Sequence, residues 1–279
     1  MVANPNLKEL HEAGVSIWLD TVSRQLLQSG EFAELIRDYS VTGATSNPTI
    51  FAKAITGSDL YDSELRALAE GGQRDLQELF FALALDDVRE AARELRPAFE
   101  ESGGRDGYIS LECTPDLADD TEATIAQGSE LWARLGQPNV MIKVPGTEAG
   151  LPAIEELTRR GVNVNVTLLF SIERYEQVID AYVRGLVGRA KDDQPLDRIA
   201  SVASFFLSRI DTKVDAQLPE ASPLRGQVAP ASARVAYQRY VAKFSGPDWE
   251  RLEQLGGSRQ RPLWASTGTK NLDYADTLY

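Results

Sequence analysis

The chain of 279 residues is poor in catalytic and metal-binding side chains, with one histidine, His11, and one cysteine, Cys113. A Ser-His-Asp triad needs a histidine beside its nucleophile, and zinc sites usually take several His or Cys ligands, so both are disfavoured. We expect His11, in a polar leader before the first predicted strand, on the surface. Cys113 follows a predicted strand and should be a small buried hydrophobic side chain. Lysine remains for covalent chemistry, with carboxylates and hydroxyl groups moving the protons.

Other features are also missing. No apolar run approaches the roughly 20 residues of a membrane-spanning helix, and the polar start is not that of a signal peptide. The net charge of −13 argues against nucleic acids and anionic membranes as partners. No loop of Asp and Glu ligands is present, so no metal is predicted, although a metal held only by carboxylates stays open. One cysteine fits a reducing compartment, and a soluble, cytoplasmic protein is expected.

Short apolar runs, typical of strands, alternate with amphipathic stretches of helical period. The predicted strands cover residues 15–19, 42–45, 107–112, 139–144, 162–167, 199–204 and 262–266. The predicted helices cover residues 24–39 (split at Gly30), 75–100, 119–136, 148–161 and 172–189. Residues 219–230 are the most loop-like stretch, and a further helix is predicted to begin near Ala231. This alternation predicts a mostly parallel sheet.

Parallel α/β chains form either open sheets or closed barrels. The turn after the first strand, residues 19–25, has no glycine, and the chain contains neither GxGxxG nor GxxxxGK[ST], which disfavours a nucleotide-binding open sheet. Polar side chains instead stand near the carboxyl ends of nearly all predicted strands, namely Asp20, Asn47, Glu112, Lys143, Asn165, Thr167, Ser204 and Ser266. Such ends converge on one point only in a closed barrel. The sequence therefore predicts an α/β fold, a (β/α)8 TIM barrel, as a single domain over residues 1–279.

Lys143 lies in the apolar run 139-NVMIKVPGT-147, where a strand is predicted. Burying an ammonium group is costly unless it is paired or becomes neutral. The segment alone leaves two interpretations open. Lys143 is either an amine nucleophile made reactive by desolvation, or an edge-strand lysine that guards against aggregation.

Seven segments of the chain resemble transaldolase, in particular the longer bacterial kind related to actinobacterial enzymes. They are 17-IWLDTVSR-24, 43-GATSNPTIF-51, 110-SLECTPDLADD-120, 141-MIKVPGTEAG-150, 163-NVNVTLLFS-171, 203-ASFFLSRID-211 and 263-LWASTGTKN-271. The resemblance covers nearly the whole chain from about Leu7, and seven segments in this order are a specific match. It implies a transferase with a (β/α)8 barrel and a metal-free, cofactor-free Schiff-base mechanism.

The resemblance also implies the substrates. A dihydroxyacetone unit would pass from sedoheptulose 7-phosphate or fructose 6-phosphate to glyceraldehyde 3-phosphate or erythrose 4-phosphate. This reaction belongs to the non-oxidative pentose phosphate pathway. Related enzymes are often dimers, so a homodimer is expected, although no interface can be identified from the sequence.

Four residues match the family's catalytic positions. Lys143 matches the Schiff-base lysine, and Asp20 matches the carboxylate that exchanges a proton with the C4 hydroxyl group. Glu112 and Thr167 match the pair that holds a water and shuttles protons as the carbinolamine loses water. Without the resemblance, Asp20 is as well explained as a helix N-cap, Glu112 as the start of a loop, and Thr167 as an ordinary strand residue.

The remaining matches concern substrate binding. Asn47, Asn165 and Ser204 match groups that hydrogen-bond substrate hydroxyls, and Arg209 matches a phosphate-binding arginine. Ser266 falls on the strand-7 phosphate site; some family members have an arginine two residues on, where this chain has Gly268, and Lys270 is the nearest cation. Two structural alternatives stay open: Asn47 before Pro48 suits a turn or cap, and Arg209 with Asp211 suits an ordinary helical face.

The chain departs from the family at its end. Seven strands are predicted before Tyr279, whereas a closed barrel needs an eighth. A truncated chain, a natural short form and a missed strand would each explain this. The apolar residues of 235-VAYQRYVAKF-244 have helical spacing, which disfavours a missed strand there. Truncation is expected, and with it an apparent lack of the last strand–helix unit and reduced or absent activity.

Two other functions stay open. A fructose 6-phosphate aldolase shares the Schiff-base lysine and releases free dihydroxyacetone. Its members are much shorter, and a tyrosine commonly takes the proton-transfer position held here by Glu112. A non-catalytic barrel that acts as a binding protein is the second alternative, which the presence of all four catalytic matches disfavours.

Overall fold

The computed structural model describes residues 4–73 and 75–279, so the first three residues of the polar start lie outside it. Seven strands are present: β1 (Ile17–Leu19), β2 (Val41–Thr45), β3 (Tyr108–Glu112), β4 (Val140–Pro145), β5 (Val164–Leu169), β6 (Ser201–Phe206) and β7 (Arg261–Ala265). Each overlaps a predicted strand, and at least one helix precedes each strand in the chain. The predicted alternation of strands and helices is therefore confirmed. The described residues contain no eighth strand.

Within the described residues, thirteen α-helices accompany the strands. They are α1 (Pro5–Glu12), α2 (Arg24–Gln28), α3 (Glu31–Tyr39), α4 (Pro48–Thr56), α5 (Asp62–Glu70), α6 (Leu76–Glu94), α7 (Arg96–Glu101), α8 (Thr121–Leu135), α9 (Gly150–Arg160), α10 (Ile172–Lys191), α11 (Ser208–Asp215), α12 (Val228–Lys243) and α13 (Pro247–Gln254). Short 3-10 turns occupy Asp59–Tyr61 and Pro115–Leu117.

The helix predictions are confirmed at one point and wrong at others. The split at Gly30 is confirmed, because this residue adopts a φ of +79° between α2 and α3. The long predicted helix at residues 75–100 is divided at Leu95 into α6 and α7. The polar leader that contains His11 forms a helix, α1, which was not predicted, and His11 is exposed as expected. The last predicted helix, α12, begins at Val228, three residues before the predicted Ala231, and it contains the stretch 235–244.

The chain divides into two compact units, and the boundary falls inside β4. The first unit comprises Met1–Thr114 and Ser129–Ile142, and the second comprises Pro115–Gly128 and Lys143–Tyr279. In the first unit β1, β2 and β3 are parallel neighbours in that order. The pairing continues to the start of β4, where Ile109 N donates to Asn139 O at 3.1 Å.

The second unit continues from Lys143. Gly146 N, directly after β4, donates to Thr167 O of β5 at 2.9 Å. Strands β5, β6 and β7 are then parallel neighbours, with Val166 opposite Ala203 and Ser204 opposite Leu263. Parallel strands covered on both faces consist mainly of apolar residues. Accordingly, all six residues of β4 and five of the six in β6 are buried.

Gly107, just before β3, is required by a close approach of two backbone segments. Its φ is +83° and its N donates to Thr42 O at 2.8 Å. A Cβ atom at this position would lie 2.2 Å from Phe99 N, far closer than atoms can pack. Gly103 also has a positive φ, +64°, but a Cβ atom there would meet open space.

A comparison of these two glycines separates the cost of backbone strain from the cost of a steric clash. We expect Gly103→Ala to lower the free energy of unfolding by about 1 kcal/mol, the cost of the left-handed conformation. Gly107→Ala should cost at least about 3 kcal/mol, because a backbone clash adds to that strain. Urea unfolding of both variants measures the difference. Equal losses would contradict the packing of Gly107 against Phe99.

Candidate active site

Lys143 is buried inside β4 in the second unit. Its exposed fraction is 8 %, and every residue of the strand is buried. The β4 segment is hydrogen-bonded on one side through Asn139 O and on the other through Gly146 N. It is therefore not an edge strand, and the interpretation of Lys143 as an edge-strand lysine is wrong.

Asn165 of β5 and Ser204 of β6 form a hydrogen-bonded pair on neighbouring strands. The Ser204 hydroxyl donates to Asn165 Oδ1 at 2.8 Å, and both side chains are buried. This hydrogen bond fixes which end of the Asn165 carboxamide is the acceptor, so its Nδ2 group is oriented as a donor. The sequence prediction placed both residues at a common rim, and the structure brings them into contact.

Thr167 lies where β5 becomes irregular. The register between β5 and β6 shifts between Val166 and Leu169, and Leu168 between them adopts a φ of +62° with its side chain exposed. Thr167 is 1 % exposed, and its Oγ1 has no hydrogen-bond partner among the described residues. Bulges and backbone strain of this kind are common beside active sites, where they redirect a side chain. The sequence carries no signal for this bulge.

Asp20 directly follows β1 in the first unit. The N-cap of the next helix, α2, is Ser23, whose Oγ accepts a hydrogen bond from Leu26 N at 3.2 Å. Asp20 lies three residues before this cap, and its side chain is exposed. The alternative that Asp20 serves as a helix cap is therefore wrong.

Asn47 does act as a cap. Its Oδ1 accepts a hydrogen bond from Ile50 N at 2.9 Å at the start of α4, and Pro48 occupies the first helical position. This confirms the structural interpretation and leaves the Nδ2 group of Asn47 as a donor for other partners. A cap and a substrate contact are compatible because they use opposite ends of the carboxamide.

Glu112 ends β3 and is half-buried. Cys113, the next residue, is 2 % exposed, which confirms that it is a buried side chain. Burial raises the pKa of the Cys113 thiol to about 12, and the neighbouring Glu112 carboxylate acts in the same direction. A thiol with this pKa is protonated at neutral pH, so Cys113 is a poor nucleophile.

The candidate phosphate-binding side chains lie around the start of α11 and after the end of β7, in the second unit. Arg209 is exposed, and its guanidinium carbon lies 4.9 Å from the centre of the Phe206 ring. The Ser266 hydroxyl is hydrogen-bonded to that of Ser208 at 2.8 Å. Lys270 is exposed and lines a cavity of about 550 Å³ together with Ser208.

Asp211 is buried, so the interpretation of Arg209 and Asp211 as an ordinary helical face is wrong for Asp211. It is 1 % exposed, and its carboxylate accepts hydrogen bonds from Ala229 N and from the Tyr279 hydroxyl, both at 2.8 Å. Asp215, one turn later, accepts a hydrogen bond from the Tyr274 hydroxyl at 2.5 Å. Helix α11 therefore anchors the segment that follows Lys270, a role that sequence analysis missed.

The chemical character of the candidate residues can now be stated for each unit. The second unit places an amine, a carboxamide and two hydroxyl groups on three successive strands, as Lys143, Asn165, Thr167 and Ser204. The first unit places two carboxylates and a carboxamide at the carboxyl ends of three neighbouring strands, as Asp20, Glu112 and Asn47. No helix in the described part of the chain is long and apolar enough to cross a membrane.

Comparison with known proteins assigns this combination to a family. Residues 17–279 match the family described as Transaldolase/Fructose-6-phosphate aldolase. A transaldolase of Saccharopolyspora erythraea is 49 % identical over all of this chain and 76 % of its own length. Transaldolases of Acidothermus cellulolyticus and Thermobifida fusca are each 50 % identical over 98 % of this chain, covering 74 % and 75 % of their own lengths. The chain therefore belongs to the transaldolase/fructose-6-phosphate aldolase family, a family with a TIM-barrel-like α/β fold, and the strands and helices of both units alternate as that fold requires.

Proposed function

We propose that this protein is a transaldolase that moves a dihydroxyacetone unit from a ketose phosphate to an aldose phosphate. The observation that carries the proposal is Lys143, a lysine with 8 % exposure inside a fully buried strand. Membership of the family supplies the reaction class, and relatives 49–50 % identical over nearly the full chain are named transaldolase. Sedoheptulose 7-phosphate and fructose 6-phosphate are the proposed donors, and glyceraldehyde 3-phosphate and erythrose 4-phosphate the proposed acceptors.

Lys143 is the proposed nucleophile. Its neutral amine attacks the C2 carbonyl of the ketose, and the resulting carbinolamine loses water to give an iminium ion. When the C3–C4 bond breaks, its electron pair flows into the iminium group and leaves an enamine on Lys143. The buried position of Lys143 suits this role, because nucleophilic lysines are commonly placed in hydrophobic pockets.

Asp20 is the proposed base for the cleavage. Its carboxylate removes the proton from the C4 hydroxyl group as the C3–C4 bond breaks, and the aldose phosphate leaves as an aldehyde. In the reverse direction the enamine attacks the aldehyde of the acceptor, and Asp20 returns the proton to the new hydroxyl group. A carboxylate is the available base because the only histidine, His11, lies on the exposed helix α1.

Glu112 and Thr167 are proposed to hold a water molecule and to move protons while the carbinolamine gains or loses water. The half-buried carboxylate of Glu112 accepts and donates the proton. The buried hydroxyl of Thr167, which has no partner among the described residues, supports this role because buried polar atoms need a hydrogen bond.

The other candidates are proposed to bind substrate. Asn47, Asn165 and Ser204 would hydrogen-bond the sugar hydroxyls, and the Ser204–Asn165 pair supports this by orienting one carboxamide. Arg209, Ser266 and Lys270 would bind the phosphate group. A cytoplasmic location, a homodimer and a single barrel domain over residues 1–279 remain part of the proposal.

Borohydride trapping tests the nucleophile. After incubation with fructose 6-phosphate, borohydride should reduce the Schiff base and add the mass of one dihydroxyacetone unit at Lys143, located by peptide mapping. Lys143→Arg should abolish the adduct. Lys243→Arg is the matched control, since Lys243 is engaged by Asp180 at 2.5 Å and should leave trapping intact. An adduct on any other lysine would overturn the assignment.

Asp20→Asn tests the division of labour between the two groups. Schiff-base formation does not use Asp20, so the variant should be trapped at Lys143 with the mass of the whole hexose phosphate. Turnover should fall by roughly a hundred- to ten-thousandfold, the usual contribution of a general base. Asp59→Asn, at an exposed position in the same unit, is the control. A dihydroxyacetone adduct on Asp20→Asn, formed at the wild-type rate, would show that another group is the base.

An acceptor assay distinguishes a transferase from an aldolase. With fructose 6-phosphate and erythrose 4-phosphate, we expect sedoheptulose 7-phosphate to form much faster than free dihydroxyacetone. Without an acceptor, the reaction should stop after about one equivalent of glyceraldehyde 3-phosphate, because the enamine waits for an aldehyde. Continuous release of dihydroxyacetone would instead identify a fructose 6-phosphate aldolase.

A further inference from the structure

A buried network in the first unit joins α2 to α5 and α6. Arg24 Nε donates to Asp87 Oδ1 at 2.9 Å, and Arg24 Nη1 donates to Glu64 Oε2 at 2.6 Å. The Tyr61 hydroxyl donates to Asp87 Oδ2 at 2.7 Å and accepts from Arg24 N at 2.9 Å. The Arg24 guanidinium carbon also lies 4.3 Å from the centre of the Tyr61 ring.

The network is well enclosed. Tyr61 is 1 % exposed, and the side chains of Asp87, Arg24 and Glu64 are 4 %, 11 % and 30 % exposed. Burial raises the pKa of Asp87, although hydrogen bonds from Tyr61 and Arg24 act in the opposite direction. Removing one partner of a buried charged group is costly. The four side chains are therefore held in fixed positions relative to one another.

Arg24 is only four residues after Asp20, and the last three residues of this connection are anchored. Val22 is fully buried, Ser23 caps α2, and Arg24 is held at both its backbone N and its guanidinium group. The Asp20 side chain is exposed. No hydrogen bond to its carboxylate occurs within residues 4–73 and 75–279. The position of Asp20 therefore depends on the backbone of this connection.

We infer that Tyr61, Glu64 and Asp87 act through Arg24 as positioning residues that place the Asp20 carboxylate for proton transfer. The inference rests on the proposed function, because it assigns the network to the step in which Asp20 takes the C4 hydroxyl proton. Schiff-base formation at Lys143 precedes that step and does not need Asp20. Loosening the network should therefore slow cleavage and leave Schiff-base formation unchanged.

Tyr61→Phe removes one hydroxyl that takes part in two of the hydrogen bonds. The expected result is formation of the Schiff base at the wild-type rate, accumulation of the whole-hexose adduct, and a fall in kcat of roughly ten- to a hundredfold, as for a misplaced catalytic group. The KM for fructose 6-phosphate should not rise, because Tyr61 has no proposed contact with substrate and accumulation of the covalent adduct only lowers KM. Rapid-quench borohydride trapping measures the two adducts separately.

The matched control is Tyr182→Phe. Tyr182 is fully buried in the second unit, and its hydroxyl donates to Ser258 O at 2.7 Å, so this variant also loses a buried hydrogen bond. It should cleave at the wild-type rate. Glu64→Gln is the second test variant: it keeps the shape of the side chain and lies at the more exposed end of the network, so it should fold even if Tyr61→Phe does not. Its cleavage should also slow selectively.

The outcomes distinguish failure of the positioning role from failure of the proposed function. Wild-type cleavage rates in Tyr61→Phe and Glu64→Gln, or an equal loss in Tyr182→Phe, would overturn the positioning role alone. Slower Schiff-base formation to the same extent as cleavage would also overturn it, because a general structural defect affects both steps. Absence of trapping in the wild-type protein would overturn the proposed function and, with it, this inference.

Discussion

The burial of Lys143 is the constraint on which the second unit depends. Burying an amine inside a strand is costly unless polar groups surround it, so such groups are needed where an apolar core would otherwise form. The neighbouring strands supply such groups, since Asn165, Thr167 and Ser204 are all at least 97 % buried. Replacing buried polar groups by an apolar core of the same volume is often neutral or stabilising, so we attribute this concentration of polar atoms to the proposed chemistry.

The backbone beside these buried polar residues also departs from regular strand geometry. A Cβ atom on Gly146, just after β4, would lie 2.5 Å from Leu169 Cδ2, so glycine allows the end of β4 to approach the bulge of β5. The positive φ of Leu168 costs about 1–3 kcal/mol in general. Strain of this size persists only where surrounding contacts enforce it. Here the hydrogen bond from Gly146 N to Thr167 O is one such contact.

The strands could be predicted from the sequence because parallel strands covered on both faces are nearly continuous apolar runs. Helices α1, α4, α5, α11 and α13 were missed because eight or nine residues give too few turns for a clear period. The candidate site residues were selected from polar side chains at strand ends and from the family resemblance, and neither source indicated the contacts that support them. Tyr61 and Asp87 lie 37 and 63 residues from Arg24, so no local pattern links them. The same distance problem hid the burial of Asp211.

The two units hold their candidate reactive groups by different means, and the proposed chemistry accounts for the difference. A carboxylate that must remove a proton is a weaker base when a guanidinium group is paired with it. Arg24 is only four residues from Asp20, yet its guanidinium group is engaged by Glu64 and Asp87, and these bonds raise the pKa of Arg24 despite its burial. The arginine thereby anchors the backbone that carries Asp20 while its charge is neutralised by other carboxylates. In the proposed mechanism this arrangement matters, because a cation already paired with two acids weakens the base Asp20 less than an unpaired one would.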